Sequence, residues 1–114
     1  MERLILRWWK RLVTDDGWTI SFHPDENLHA PATVTADHCI REVHFAYRPQ
    51  DKARSKVACH EVCHVLVERT YYAGCKLANA LQASEPAHCL FAAAAEEDVD
   101  ALARAFLRAY EEEV

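Results

Sequence analysis

Residues 2–13, ERLILRWWKRLV, set Leu4, Ile5, Trp8, Trp9 and Leu12 at helical spacing, with Arg3, Arg7, Lys10 and Arg11 between them. The pattern predicts an amphipathic helix with one basic face. A helix lying on a membrane surface has a similar pattern, but a helix packed on a sheet with its cations in water is the simpler expectation. TDDG then ends it, with Gly17 as the turn residue. Three runs of period two follow. WTISFH alternates Trp18, Ile20 and Phe22 with Thr19 and Ser21, and Pro24 closes it. PATVTAD alternates Ala32, Val34 and Ala36 with two threonines. IREVHFAYR puts Val43, Phe45 and Tyr47 on one face, and Pro49 ends it. Residues 34–47 predict a β-hairpin that turns near Asp37 and His38, without a glycine.

From about residue 51 to 70 the period changes to that of a helix. Its apolar positions, Val57, Ala58, Val62, Val65, Leu66 and Val67, lie nearly all round. Such a helix is expected at the centre of a domain. Residues 73–84 are ambiguous, with a short helix expected before Pro86 breaks it. A last helix, rich in alanine and leucine, is expected from about 87 to 112. Helix, three strands, then helices predict an α+β fold, one domain over residues 1–114, with a small sheet against a helical half.

Composition narrows the function. Only Gly17 and Gly74 are present, which excludes a glycine-rich phosphate loop. The formal net charge of -5 argues against nucleic acid as the main partner. No stretch approaches the roughly 20 apolar residues of a membrane span, and Glu2, Arg3 and Arg7 break up the only apolar run near the start, so no signal peptide is expected. The five cysteines, Cys39, Cys59, Cys63, Cys75 and Cys89, are odd in number and fit no paired zinc-ribbon spacing. Free thiols in a reduced, cytoplasmic chain are the expectation.

The central helix carries the candidate chemistry. Residues 60–64 read H-E-V-C-H, a match to H-E-x-x-H. At about 100° per residue, positions four apart differ by roughly 40°, so His60 and His64 stack on one face and can bind one ion. Glu61 lies about 60° from His64. It can reach a water at the metal without ligating the metal itself. The competing reading, incidental histidines on a helix, has to bury two imidazoles and a carboxylate without partners, which is costly.

A third ligand is needed. Glu68, Glu85, His88, Glu96, Glu97, Asp98 and Asp100 are the candidates downstream. On the helical wheel Val99, Ala103, Phe106, Leu107 and Tyr110 fall within about 80° of Glu96, and Asp100 lies about 40° away on the edge of that stripe. Glu97, Asp98, Arg104 and Arg108 are assigned to the opposite, polar side. The wheel therefore expects Glu96 and Asp100 to face the core, with Glu96 as the third ligand and Asp100 placed to hold a ligand histidine in one tautomer. The alternative for this pair is a solvated acidic helix start. Cys59 and Cys63 fall away from His64 and read as small buried hydrophobes; Cys75 and Cys89 have no assigned place.

ACHEVCHVLVE and EEDVDALARAFL, in this order, resemble the gluzincins, metallopeptidases with H-E-x-x-H on one helix and a glutamate ligand on a later one. The resemblance is nearest to the minigluzincins and other short phage- and bacteria-encoded forms. GWTISF and IREVHFAY agree with them in order and length. The resemblance implies a zincin-like fold: an N-terminal helix, a three-stranded sheet, an active-site helix and a glutamate helix. It implies zinc held by His60, His64 and Glu96, and Glu61 as general base in the hydrolysis of a peptide or protein substrate. It also implies an extended substrate lying antiparallel to the strand around Val43–Tyr47. Position 63 departs from the pattern, with Cys where small or apolar residues are usual. No Tyr or His is assigned to oxyanion stabilisation; Tyr71, Tyr72 and His88 are the candidates. A non-catalytic zinc-binding interaction module is the alternative reading, and a third is a purely structural helical domain that makes no use of Glu61.

Overall fold

The computed structural model describes residues 1–113, apart from the side chain of Arg69. It contains α1 (Glu2–Leu12), β1 (Thr19–Pro24), β2 (Ala32–Asp37), β3 (Glu42–Tyr47), α2 (Ser55–Ala80) and α3 (Glu85–Ala109). The expected α+β class is found. Among the described residues no helix is long and apolar enough to cross a membrane.

The strands pair in the order β1-β3-β2. β3 runs parallel to β1 and antiparallel to β2, so it sits between the other two. Registers align Ile20 with Val43 and Ala36, and Phe22 with Phe45 and Val34. These residues form the inward face, as period-two alternation requires. The hairpin joining β2 to β3 turns without glycine. Arg41 takes the left-handed conformation (φ 52°), and the Asp37 carboxylate accepts the Cys39 N–H at 2.9 Å.

α1 lies against this sheet with Ile5, Trp8 and Trp9 buried. Trp9 meets Phe45 and Trp18 edge-on. The indole N–H of Trp8 donates to Ser55 Oγ at 2.8 Å, which gives a buried polar atom its partner and ties α1 to the start of α2. The basic face of α1 has a partner inside the molecule. Arg7 and Arg11 both pair with Glu112, at 2.8 and 3.1 Å, just past the end of α3.

α2 is longer than its expected span. It runs on from residue 70 through the ambiguous stretch to Ala80 as one helix, beside α3. Gly74 does not break it, because its role is packing. A Cβ at Gly74 would stand 2.2 Å from Phe91 Cζ of α3, and the same Phe91 ring stacks on Tyr71 at 5.2 Å. Pro86 begins a helix instead of only ending one. Ser84 caps α3 by accepting the Ala87 N–H at 3.4 Å, and proline is tolerated in a first turn whose N–H groups have no helical partner.

The core is the space shared by α1, the inward sheet face, one side of α2 and the Val99–Ala103–Leu107 stripe of α3. Cys59, Val62 and Cys63 of α2 are fully buried in it. The helix is central as expected but not apolar all round, since Leu66 points out of the core, 37% exposed.

Candidate metal centre

Helical spacing turns His60 and His64 toward α3, and their Nε2 atoms stand 3.1 Å apart. Opposite them Glu96 bridges the pair. Its Oε1 lies 3.1 Å from His60 Nε2, and its Oε2 lies 3.3 Å from His64 Nε2. These three residues form a group able to hold a metal ion. An ion bound tetrahedrally at about 2.0–2.1 Å separates neighbouring donors by roughly 3.3–3.4 Å. The observed triangle needs only a slight expansion to meet that, so the donors fit.

Asp100 completes the arrangement. Its Oδ1 accepts a hydrogen bond from His60 Nδ1 at 2.9 Å. With the proton on Nδ1, the lone pair of neutral His60 sits on Nε2 and points at the Glu96 carboxylate. A lone pair facing an anionic oxygen is repulsive unless a cation stands between them. A metal ion would supply that cation.

Glu61 is next to His60 in the chain but takes no part in the triangle. Its side chain is 7% exposed and borders the same cleft. Burial, and secondarily the charge of Glu96, push its carboxyl up to about 8. Burial is also the largest influence on His64, lowering its pKa against the opposing pull of Glu96. A neutral imidazole is the form that binds a metal. Among the described residues no further Cys, His, Asp or Glu joins the group as a fourth donor.

The cleft has a volume of about 960 Å³. Its floor is α2 and α3, and its wall is the segment from Ala30 to Val34. A smaller cavity of about 260 Å³ continues past His64, lined by Val34, Glu68, Tyr71 and Glu96 among others.

Each residue expected at the site is in it: His60, Glu61, His64, Glu96 and Asp100 all line the cleft. Two details differ from the expectation. Glu96 and Asp100 face this open cleft and not the closed core, with side chains 53% and 52% exposed. The strand beside the site is β2, not the strand around Val43–Tyr47. β3 is hydrogen-bonded on both edges, to β1 and β2, so it has no edge left for a substrate, whereas β2 is an edge strand. Glu85, His88, Glu97 and Asp98 stay outside the metal-binding group, and so do all five cysteines, which are free thiols. The Cys59 thiol donates to the Ala103 carbonyl oxygen at 3.7 Å, and its hydrogen bond with Cys63, together with burial, pushes the Cys63 thiol up, as suits packing residues and not ligands. Of the oxyanion candidates, Tyr71 reaches the smaller cavity beside His64.

Lys56 and Arg104 also line the cleft; sequence reasoning had not singled out Lys56 and had placed Arg104 on the polar side, away from Glu96, although eight residues of helix separate the two by only about 80°. The signal was present as spacing: Lys56 precedes His60 by four residues, and Arg104 follows Asp100 by four.

Comparison of the chain with protein-family models, with curated proteins and with solved structures gave no match.

Proposed function

We propose that the protein is a zinc-dependent metallopeptidase of the gluzincin type. One observation carries this reading: the His60–His64–Glu96 triangle and the buried Glu61 open onto one cleft, and among the described residues no fourth donor joins the triangle. Two imidazoles and one carboxylate suit zinc, and a three-ligand set leaves a coordination position for chemistry where a structural zinc site would use four.

When bound, zinc would supply a positive charge that acidifies water and polarises a scissile carbonyl. The residues of the chain do the rest. His60, His64 and Glu96 hold the ion. Asp100 keeps His60 in the tautomer that presents Nε2. Glu61 accepts the proton of the attacking water and passes it to the leaving amine nitrogen. A cation nearby brings the Glu61 carboxyl back down from its raised value, toward the range of a base at neutral pH. The free edge of β2 offers main-chain groups to an extended peptide.

The test pairs metal content with turnover. The zinc-loaded protein should cleave members of a diverse peptide library, and Glu61→Gln should keep its zinc and lose cleavage by at least roughly 100-fold. Zinc bound stoichiometrically with no cleavage of any peptide would transfer the site to the non-catalytic zinc-binding module.

A further inference from the structure

The cleft is electrically asymmetric along its length. α2 and α3 lie side by side in opposite directions, and the His60–Asp100 contact fixes where they cross. One turn before His60 on α2 is Lys56. One turn after Asp100 on α3 is Arg104. Because the helices are antiparallel, these two positions converge on the same end of the cleft, and both side chains line it. Four residues of helix advance about 6 Å, so along its helix Lys56 starts about that far from His60 and Arg104 about that far from Asp100, the carboxylate that touches His60. Among the described residues neither cation is in an ion pair within 4.0 Å, and both are exposed to solvent from the cleft. Apolar groups, Val57, Ala103 and Leu107, line the same cleft beside them. At the opposite end the stripe continues to Glu68, one turn past His64, so the far cavity carries negative charge instead.

β2 gives the cleft a direction. Its start, with Ala30 to Thr33, borders only the large cleft, while Val34 borders both cavities, so β2 travels from the Lys56–Arg104 end toward the Glu68 end. An extended peptide pairing with the free edge in the antiparallel sense, the slightly more stable one, travels the other way. Its C-terminal side then lies toward Lys56 and Arg104. A peptide residue spans about 3.4 Å, so about 6 Å from the level of His60 and Asp100 corresponds to one or two residues beyond a bond held there.

We propose that Lys56 and Arg104 form a carboxylate-binding subsite, and that the preferred substrate carries a carboxylate one or two residues on the C-terminal side of the scissile bond. The proposal rests on the peptidase reading for the identity of that bond. The carboxylate comes either from an acidic side chain or from the free C-terminus of a short peptide. Two cations at one end of the cleft attract an anion, and a basic side chain at the same place meets two like charges.

Two readouts test it on the full chain loaded with zinc. The first is binding to Glu61→Gln of fluorescent pentapeptides with two residues after the intended scissile bond, followed by anisotropy. The peptides differ in one position, Asp, Asn or Lys at the first or second residue after that bond, and each is made with a free or an amidated C-terminus. The second readout is kcat/KM of the unsubstituted protein on the same set. Peptides with a carboxylate should bind roughly 3- to 10-fold more tightly than their neutral counterparts, the range expected of one or two partly exposed charge pairs. The preference should shrink as salt is raised. Lys56→Glu and Arg104→Glu should each reduce it, and the double substitution should invert it in favour of lysine. Amidation separates the sources: loss of preference on amidation assigns the subsite to the C-terminus, and persistence assigns it to the side chain. A preference that survives the double charge reversal, or the absence of binding by any peptide, overturns the subsite. Cleavage with no charge preference overturns the subsite and leaves the peptidase standing. Charge-dependent binding that responds to both substitutions, with no cleavage, overturns the peptidase and leaves a carboxylate-reading peptide site.

Discussion

Replacing Glu61 with glutamine removes one buried ionisation and almost no volume. The Glu61 side chain is 7% exposed, and its carboxyl is raised from 4.5 to about 8, by burial first and by the Glu96 charge second. In the unfolded chain the group titrates near its ordinary value. Its folded pKa is the higher of the two. The stability it contributes is therefore fully present below about 4.5, declines as pH rises, and is lost once pH has passed about 8. At about 1.4 kcal/mol per pH unit, the metal-free protein should lose roughly 3–4 kcal/mol from this group between about pH 5 and about pH 8. Glutamine cannot ionise. Metal-stripped Glu61→Gln should therefore match the unsubstituted protein to within roughly 1 kcal/mol near pH 5 and exceed it by several near pH 8. Urea denaturation at the two pH values measures this. Titrations elsewhere, His64 included, occur in both proteins and largely cancel in the difference. Adding zinc should narrow the gap at pH 8, because a cation beside the carboxylate stabilises its charged form. A stability difference that is the same at both pH values would refute the reasoning, and so would a less stable glutamine variant at the higher pH.

The other predictions address the ligands and the helical hairpin. Metal analysis should find about one zinc per chain, strongly reduced by His60→Ala and Glu96→Gln and unchanged by Glu97→Gln; the reverse order for the two glutamates would mean a different register for α3. Asp100→Asn should cost roughly 10- to 100-fold in zinc affinity, read by competition with a chromogenic chelator, because His60 loses the negative charge of the acceptor that fixes its tautomer. Gly74→Ala places a Cβ 2.2 Å from Phe91 Cζ and should destabilise the fold by about 1–3 kcal/mol in urea denaturation, by displacing Phe91 from Tyr71.

Period and spacing carried most of the fold and the three side chains that come together as a group able to hold a metal ion, His60, His64 and Glu96. α1, the strands and H-E-x-x-H were legible because each has one buried face and a period that only one type of element satisfies. The continuation of α2 past residue 70 was not legible. Gly74 reads locally as a weak point of a helix, and its reason for being glycine, the ring of Phe91, lies on another element. The pairing of β3 was hidden for a similar cause. A hairpin pattern tells that β2 and β3 are neighbours, but not that β1 then joins the far edge of β3 and leaves β2 as the free edge. The helical wheel distinguished Glu96 from Glu97 correctly. It could not distinguish a face turned to the core from a face turned to a cleft, since both look toward another element.

The register of α3 ties the metal centre to the core. Val99, Ala103 and Leu107 recur at four-residue spacing and are nearly inaccessible, and the thiol of Cys59 reaches the Ala103 carbonyl. Glu96 lies three residues before Val99, and Asp100 directly follows it. A slip of α3 by one residue would rotate the helix by about 100°. It would expose that apolar stripe and take both carboxylates away from the histidines. Packing thus fixes the triangle in a chain free of metal, although the triangle itself opposes packing. Glu96 stands against the ring nitrogens of both histidines, and the Glu61 carboxyl is raised by burial first and by the charge of Glu96 second. A cation bound at the centre would convert each of these repulsions into attraction. The apolar stripe therefore presets the geometry, and an ion held there would relieve its electrostatic cost, so that metal binding would also stabilise the fold.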